Sequence, residues 1–109
     1  MDKKIYALHA DMCKVFTSPI RLEILDALRD GKKSVSELVQ LIGLNQANIS
    51  QHLQIMKDKN ILRTEKKGNF VFYSIANPKI SEAFSTMKEI IKDQLAESEK
   101  LYKTITKKQ

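Results

Sequence analysis

Ser34 to Lys59, SVSELVQLIGLNQANISQHLQIMKDK, holds two apolar stripes at helical spacing with a glycine between them. Val35, Leu38, Val39 and Ile42 fall at i, i+3, i+4 and i+7, which places them on one side of a helix. Ser34 and Glu37 stand three apart at its start, the signature of a capping box. Gly43 suits the left-handed residue that ends a helix, Leu44 packs under the turn, and Asn45 carries a side chain that caps the next helix. In the second helix the spacing buries Ile49, Leu53 and either Ile55 or Met56. The outward remainder is Gln46, Ala47, Asn48, Ser50, Gln51 and Gln54. Two helices joined in this way predict a helix-turn-helix over 34–59.

Base edges in the major groove of DNA offer paired donors and acceptors, and a Gln or Asn amide engages two at once. No carboxylate lies between Gln46 and Lys57 to repel phosphate. The outward set, completed by His52 and Lys57, therefore fits a helix that reads duplex DNA. A solvated polar face on an ordinary helical hairpin has the same apolar spacing, so the segments on either side decide between the two.

After Lys59 the period shortens from helical to alternating. Ile61 to Lys66 and Phe70 to Ile75 read as strands rich in β-branched and aromatic residues, with Lys67-Gly68-Asn69 as the hairpin loop. A basic hairpin directly behind a helix-turn-helix is a wing, here 61–75. Arg63, Lys66, Lys67 and Asn69 are expected at phosphates or the adjacent minor groove, with Val71, Tyr73 and Ile75 facing the core. The alternative is an edge hairpin whose lysines only discourage aggregation. The order of elements favours the wing.

Three further helices frame this centre. Ile5, Leu8, Met12, Val15 and Phe16 repeat at helical spacing over Ile5 to Phe16. Ser18 and Pro19 supply an N-cap and first-turn proline for a helix from Ile20 to Arg29, which Gly31 stops. After Asn77 and Pro78 a long helix runs over 79–105, with Phe84, Met87, Ile91 and Leu95 among its apolar positions. So long an apolar face exceeds what one small core covers. The expected use is pairing with a second copy through Ile5, Leu8 and Met12 of the first helix and Phe84, Met87, Ile91 and Leu95 of the last. Folding back on its own domain is the alternative. A two-fold dimer sets its recognition helices about one DNA turn apart, so the target should be an inverted repeat.

With 109 residues there is room for a single domain, 1–109, mainly α with a small β-hairpin. A formal charge of +6 favours a polyanionic partner. No apolar run approaches the ~20 residues of a membrane span, and no long apolar segment follows Met1-Asp2-Lys3-Lys4. The lone Cys13 excludes an internal disulfide framework and fits a reducing, cytoplasmic setting.

The order helix, helix, helix-turn-helix, wing, long helix, with the segments TSPIRLEILDAL, SVSELVQLIGLNQANISQHLQIMKDKNIL and GNFVFYSI, resembles the ArsR/SmtB family of winged-helix repressors. The likeness is close from Met12 to Ile75 and continues beyond by helix pattern. It implies a homodimer that represses a promoter by binding operator DNA and releases it when an inducer binds. It also implies that Gln46, Ala47, Asn48, Ser50 and Gln51 begin the recognition helix, with His52 at a position where the family commonly has histidine. His52 reads either as a phosphate or base contact or as a tether between its helix and neighbouring backbone.

The inducer is where this chain departs from that family. Many relatives carry Cys-Val-Cys where Ser34-Val35-Ser36 aligns, and serine does not replace a thiolate toward soft metals. Relatives that sense zinc or nickel often place Asp and His on the last helix, but from Lys79 onward there is no His. No cofactor and no metal site is expected, and no inducer is named. His9 and Cys13, four apart on the first helix, are the one remaining sensor pair; plain packing of Cys13 against the apolar stripe is the stronger expectation. No nucleophile with a positioned base and no Gly-rich phosphate loop is present, with only 3 Gly in the chain, so an enzyme is not expected. A winged-helix interaction module in a transcription or chromatin assembly is the alternative function.

Overall fold

The computed structural model describes residues 2–107; residues 1, 108 and 109 of the expected domain lie outside them. In chain order come α1 (Lys3–Val15), α2 (Pro19–Ala27), β1 (Lys33–Ser34), α3 (Val35–Ile42), α4 (Gln46–Asp58), β2 (Leu62–Lys67), β3 (Phe70–Ile75) and α5 (Pro78–Lys107). By its contacts the chain divides after Pro78 into two units. Among the described residues no helix is long and apolar enough to cross a membrane.

In the first unit each helix boundary has a local cause. The Ser18 side chain accepts from the Arg21 amide and Pro19 opens α2. Ser34 and Glu37 form a reciprocal capping box on α3, and Gly43 closes that helix at φ 83. The Asn45 carboxamide oxygen accepts from the Asn48 amide at 2.8 Å, which starts α4. The far end of α4 is closed by Asn60 rather than by glycine. Asn60 sits at φ 62, its amide donates to Lys57 O and the next amide, of Ile61, donates to Met56 O, both at 2.9 Å. These are the paired bonds of a Schellman motif, and asparagine is a common non-glycine residue in that conformation.

Ile24, Leu25, Leu38, Ile49, Leu53, Met56 and Ile61 are fully buried. Of the two candidates in α4, Met56 is buried and Ile55 only half so. The sheet runs β1-β3-β2, all antiparallel. Strand β1 has no counterpart in the sequence reading. Its two residues pair with Tyr73 and Phe72, too few to leave an alternating pattern. The hairpin loop is shorter than expected: Lys67 pairs with Phe70, which leaves Gly68 and Asn69 as the turn. Gly68 has φ 60 and Asn69 does not share the positive φ, as a type II′ turn requires.

Val71 departs from its expected place facing the core and is exposed. Its partner is Lys66, next to the turn, whereas the Leu62 and Ile75 pair lies at the base of the ribbon where Leu62 is buried. Alternation puts Val71 on the core-facing side, but the ribbon's outer end extends past the core.

The second unit is the remainder of α5, a single helix. Phe84 is half-buried and Met87, Ile90, Ile91, Leu95, Leu101, Tyr102 and Ile105 are exposed.

Candidate nucleic-acid interface

Helix α4 has a dry side and a wet side. Ile49, Leu53 and Met56 make the first, and a period of 3.6 residues puts Ala47, Gln51 and Gln54 opposite them. Gln46, Ala47, Asn48, Gln51, Gln54 and Lys57 are exposed as expected, whereas Ser50 is half-buried toward the core edge. Gln54 is already engaged: its amide nitrogen donates to Asp58 one turn on, at 2.9 Å. That leaves the first two turns of α4 as the part whose polar groups face outward uncommitted to a neighbour along the helix.

His52 holds its helix to α2 through a side chain rather than through backbone. Arg21 Nε donates to His52 Nδ1 at 3.2 Å, so Nδ1 presents its lone pair and the ring proton sits on Nε2. Burial, and secondarily the Arg21 charge, pushes the imidazole below its ordinary pKa. Above about pH 6.5 the ring is neutral in folded and unfolded chains alike. As the pH falls below that value the unfolded chain takes up the proton first, so the contribution of His52 to stability drops with acid. Urea unfolding at pH 7.5 and 5.5 should show a smaller acid loss in His52→Gln than in the wild type; equal losses would remove His52 as a cause.

The wing carries its cations on two faces. Cross-strand pairing puts Arg63, Glu65, Lys67, Phe70 and Phe72 on one, with Lys66 and Val71 on the other. Arg63, expected at phosphate, has its guanidinium donating to Ala76 O beyond the end of β3. Glu65 Oε2 lies 3.1 Å from the Lys32 ammonium and Oε1 3.8 Å from that of Lys67. The hydrogen bond from Lys32 holds the Glu65 carboxyl below the usual carboxylate range. Lys32 also sits 5.4 Å from the centre of the Phe72 ring. Asn69 is exposed in the turn.

Two contributors escaped the sequence reading. Arg21 orients His52 from 31 positions away, and Lys32 joins the wing from the loop before β1; neither lies in a motif that marks it. Cys13, expected to pack beside the apolar stripe, is exposed in the single chain. Within α1 only the last residue, Val15, is buried, which leaves the stripe of Ile5, Leu8 and Met12 uncovered in the single chain. His9 is exposed as well. Where thiols would align, the Ser34 hydroxyl accepts from the Glu37 amide at 3.2 Å and Ser34 is only 8% exposed, so its oxygen is committed to starting α3. Among the described residues no three His, Cys, Asp or Glu side chains come together as a metal-ligand group.

A sequence model described as bacterial regulatory protein, arsR family, matches residues 18–64. The HTH-type transcriptional regulator Rv0081 of Mycobacterium tuberculosis is 31% identical over 91 residues, covering 83% of this chain and 80% of that protein. Its crystal structure superposes with a TM-score of 0.79 over 85% of this chain and 94% of that one. The transcriptional repressor PagR of Bacillus anthracis is 36% identical over 72 residues, 65% of this chain and 72% of PagR. Its crystal structure gives a TM-score of 0.70 over 79% of this chain and 99% of that one. At 24% identity, a homodimeric winged helix-turn-helix DNA-binding domain from Mycobacterium bovis shares the fold, with a TM-score of 0.79 and coverage of 85% and 86%.

Proposed function

This chain belongs to the ArsR family of bacterial regulatory proteins, and on that premise we propose that it acts as a homodimeric repressor that binds an inverted-repeat operator. It is a DNA-binding transcriptional regulator with a winged helix-turn-helix fold; the repressor role follows PagR, named a transcriptional repressor. The working parts are the helix-turn-helix over 34–59, the wing over 61–75 and the dimerisation helix over 79–105. The observation that carries the reading is the division of α4, where a fully buried stripe leaves Gln46, Ala47, Asn48 and Gln51 exposed. Buried on one side and amide-lined on the other, such a helix is held rigidly while its outer edge meets bases.

Gln46, Asn48 and Gln51 read base edges, and Ala47 supplies a small apolar contact. Ser50, His52 through Nε2–H, and Lys57 meet the backbone on either side. Lys66, Lys67 and Asn69 bring the wing tip to phosphate, and Arg63 and Gln54 contribute after exchanging their present partners. The dimer uses Ile5, Leu8 and Met12 with Phe84, Met87, Ile91 and Leu95, of which all but the half-buried Phe84 are exposed. Large apolar side chains in two such rows favour association with a second copy.

The direct test is a gel-shift titration comparing a duplex from the gene's own upstream region with an arbitrary duplex of equal length. A specific regulator prefers the first by about a thousandfold or more; equal, salt-sensitive binding to both overturns the operator reading. Gln51→Ala should weaken binding to the preferred duplex by about 1–3 kcal/mol and blur selection at one base pair, and an equal loss on arbitrary DNA would contradict base reading. Lys67→Ala should weaken binding to every sequence and flatten the slope of log K against log salt by about one unit. An unchanged slope would take Lys67 out of the contact.

A further inference from the structure

The wing ends in an aromatic group that the contacts above leave unused. Phe70 is 61% exposed, directly after the Gly68–Asn69 turn and on the same face as its cross-strand partner Lys67. It is braced rather than loose. Its ring leans on that of Phe72, centroids 6.5 Å apart and planes at 42°, and Phe72 is half-buried beneath the Lys32 ammonium. A two-residue turn fixes the backbone under it. A phenyl group held in water at a ribbon tip contributes little to its own fold and gains by burial against a partner. Lys67 stands across the ribbon from it on the same face and Lys66 on the opposite face, so the tip carries cations on both faces and the fitting partner places an apolar surface among negative charges. Stacked bases between two rows of phosphates have that arrangement.

We propose that Phe70 is a wedge: as the wing settles into the minor groove, the ring enters one base step, partly unstacks it and bends the duplex. This rests on the operator reading and adds to it a second source of selectivity. Pyrimidine–purine steps, TA or CA/TG, unstack most readily, so the chain selects a deformable step at a position where it makes no hydrogen bond to a base. Apolar side chains act in this way in other minor-groove binders; here the bracing by Phe72 and Lys32 holds the ring at the tip.

The test uses the full chain and the preferred upstream duplex, with dyes at both ends to report bending by energy transfer and 2-aminopurine moved step by step beneath the wing. The wild type should bend the duplex by about 20–90° and brighten the probe at one step. Phe70→Ser should lose both signals and bind roughly tenfold more weakly, while Phe70→Leu, still an apolar wedge, keeps the bend. Unfolding midpoints measured beside these separate a lost wedge from a lost fold. If Phe70→Ser is destabilised, a retained bend and bright probe in Phe70→Leu supports the wedge and their loss there overturns it. Replacing the brightened step with a G·C-rich one should weaken the wild type and leave Phe70→Ser unchanged. A wild type that prefers its upstream duplex yet leaves it straight, or a Phe70→Ser protein that bends it equally, overturns the wedge alone and turns Phe70 toward a protein partner. A wild type with no preference among duplexes overturns the operator reading and the wedge together.

Discussion

Replacing Ile91 with Glu is expected to halve the mass in solution and to remove operator binding at concentrations where the wild type is saturated. Ile91 is 48% exposed, with Met87 at 56% and Leu95 at 64% one turn to either side. A carboxylate there meets water in a monomer but an apolar, symmetry-related neighbour in a dimer, where an unpaired charge is strongly disfavoured. Loss of pairing then reaches the DNA. Two linked recognition helices bind the second half-site at high effective concentration, and separating them forfeits on the order of 10²- to 10⁴-fold in affinity. Sedimentation equilibrium checks the first step and a titration against the preferred duplex the second. Because the side chain is already solvated in the protomer, circular dichroism should be unchanged. Dimers that persist in Ile91→Glu would place the interface elsewhere.

The parts of this molecule that were legible in its sequence are those governed by local rules. The capping box at Ser34 and Glu37, the left-handed Gly43, the Asn45 cap and the Ser18-Pro19 start all lie where neighbouring residues dictate them. The stripe of α4 was legible because a period of 3.6 is a property of the segment itself. The unread features are consequences of chain segments meeting. Arg21 reaches His52 and Lys32 reaches Glu65 and Phe72 across more than thirty positions, and no pattern in one dimension marks such a pair. The split of wing cations between two faces depends on the register that pairs Lys67 with Phe70, which shortens the loop by one residue. Cys13 shows the limit of reading burial from a neighbouring apolar stripe. The spacing along α1 is helical and regular, yet nearly all of its apolar side chains are exposed, so spacing defines a face without saying what covers it.

Leu53→Ala should have the largest effect on stability, because Leu53 lies at the centre of the stripe that holds α4 to the rest of its unit. The side chain is fully buried between Ile49 and Met56 along the same helix face. Truncation removes its transfer free energy and leaves a cavity that close-packed neighbours fill only in part, for a loss of about 2–5 kcal/mol. Against a total of about 5–15 kcal/mol for a domain of ordinary stability, that is a large share, and the unfolding midpoint should drop by about 10 °C or more. Leu41→Ala on α3 is the control: Leu41 is exposed, and its removal should stay within about 0.5 kcal/mol of the wild type. Urea titrations of both variants measure the difference. The same pair separates folding from recognition. At low temperature, where Leu53→Ala remains mostly folded, its salt slope and base preference should match the wild type, since no DNA contact has been removed, whereas Gln51→Ala keeps full stability and loses selectivity. A Leu53→Ala protein as stable as the wild type would mean that this stripe does not face the core. The side of α4 opposite it, with Ala47, Gln51 and Gln54, would then have no claim to face a groove.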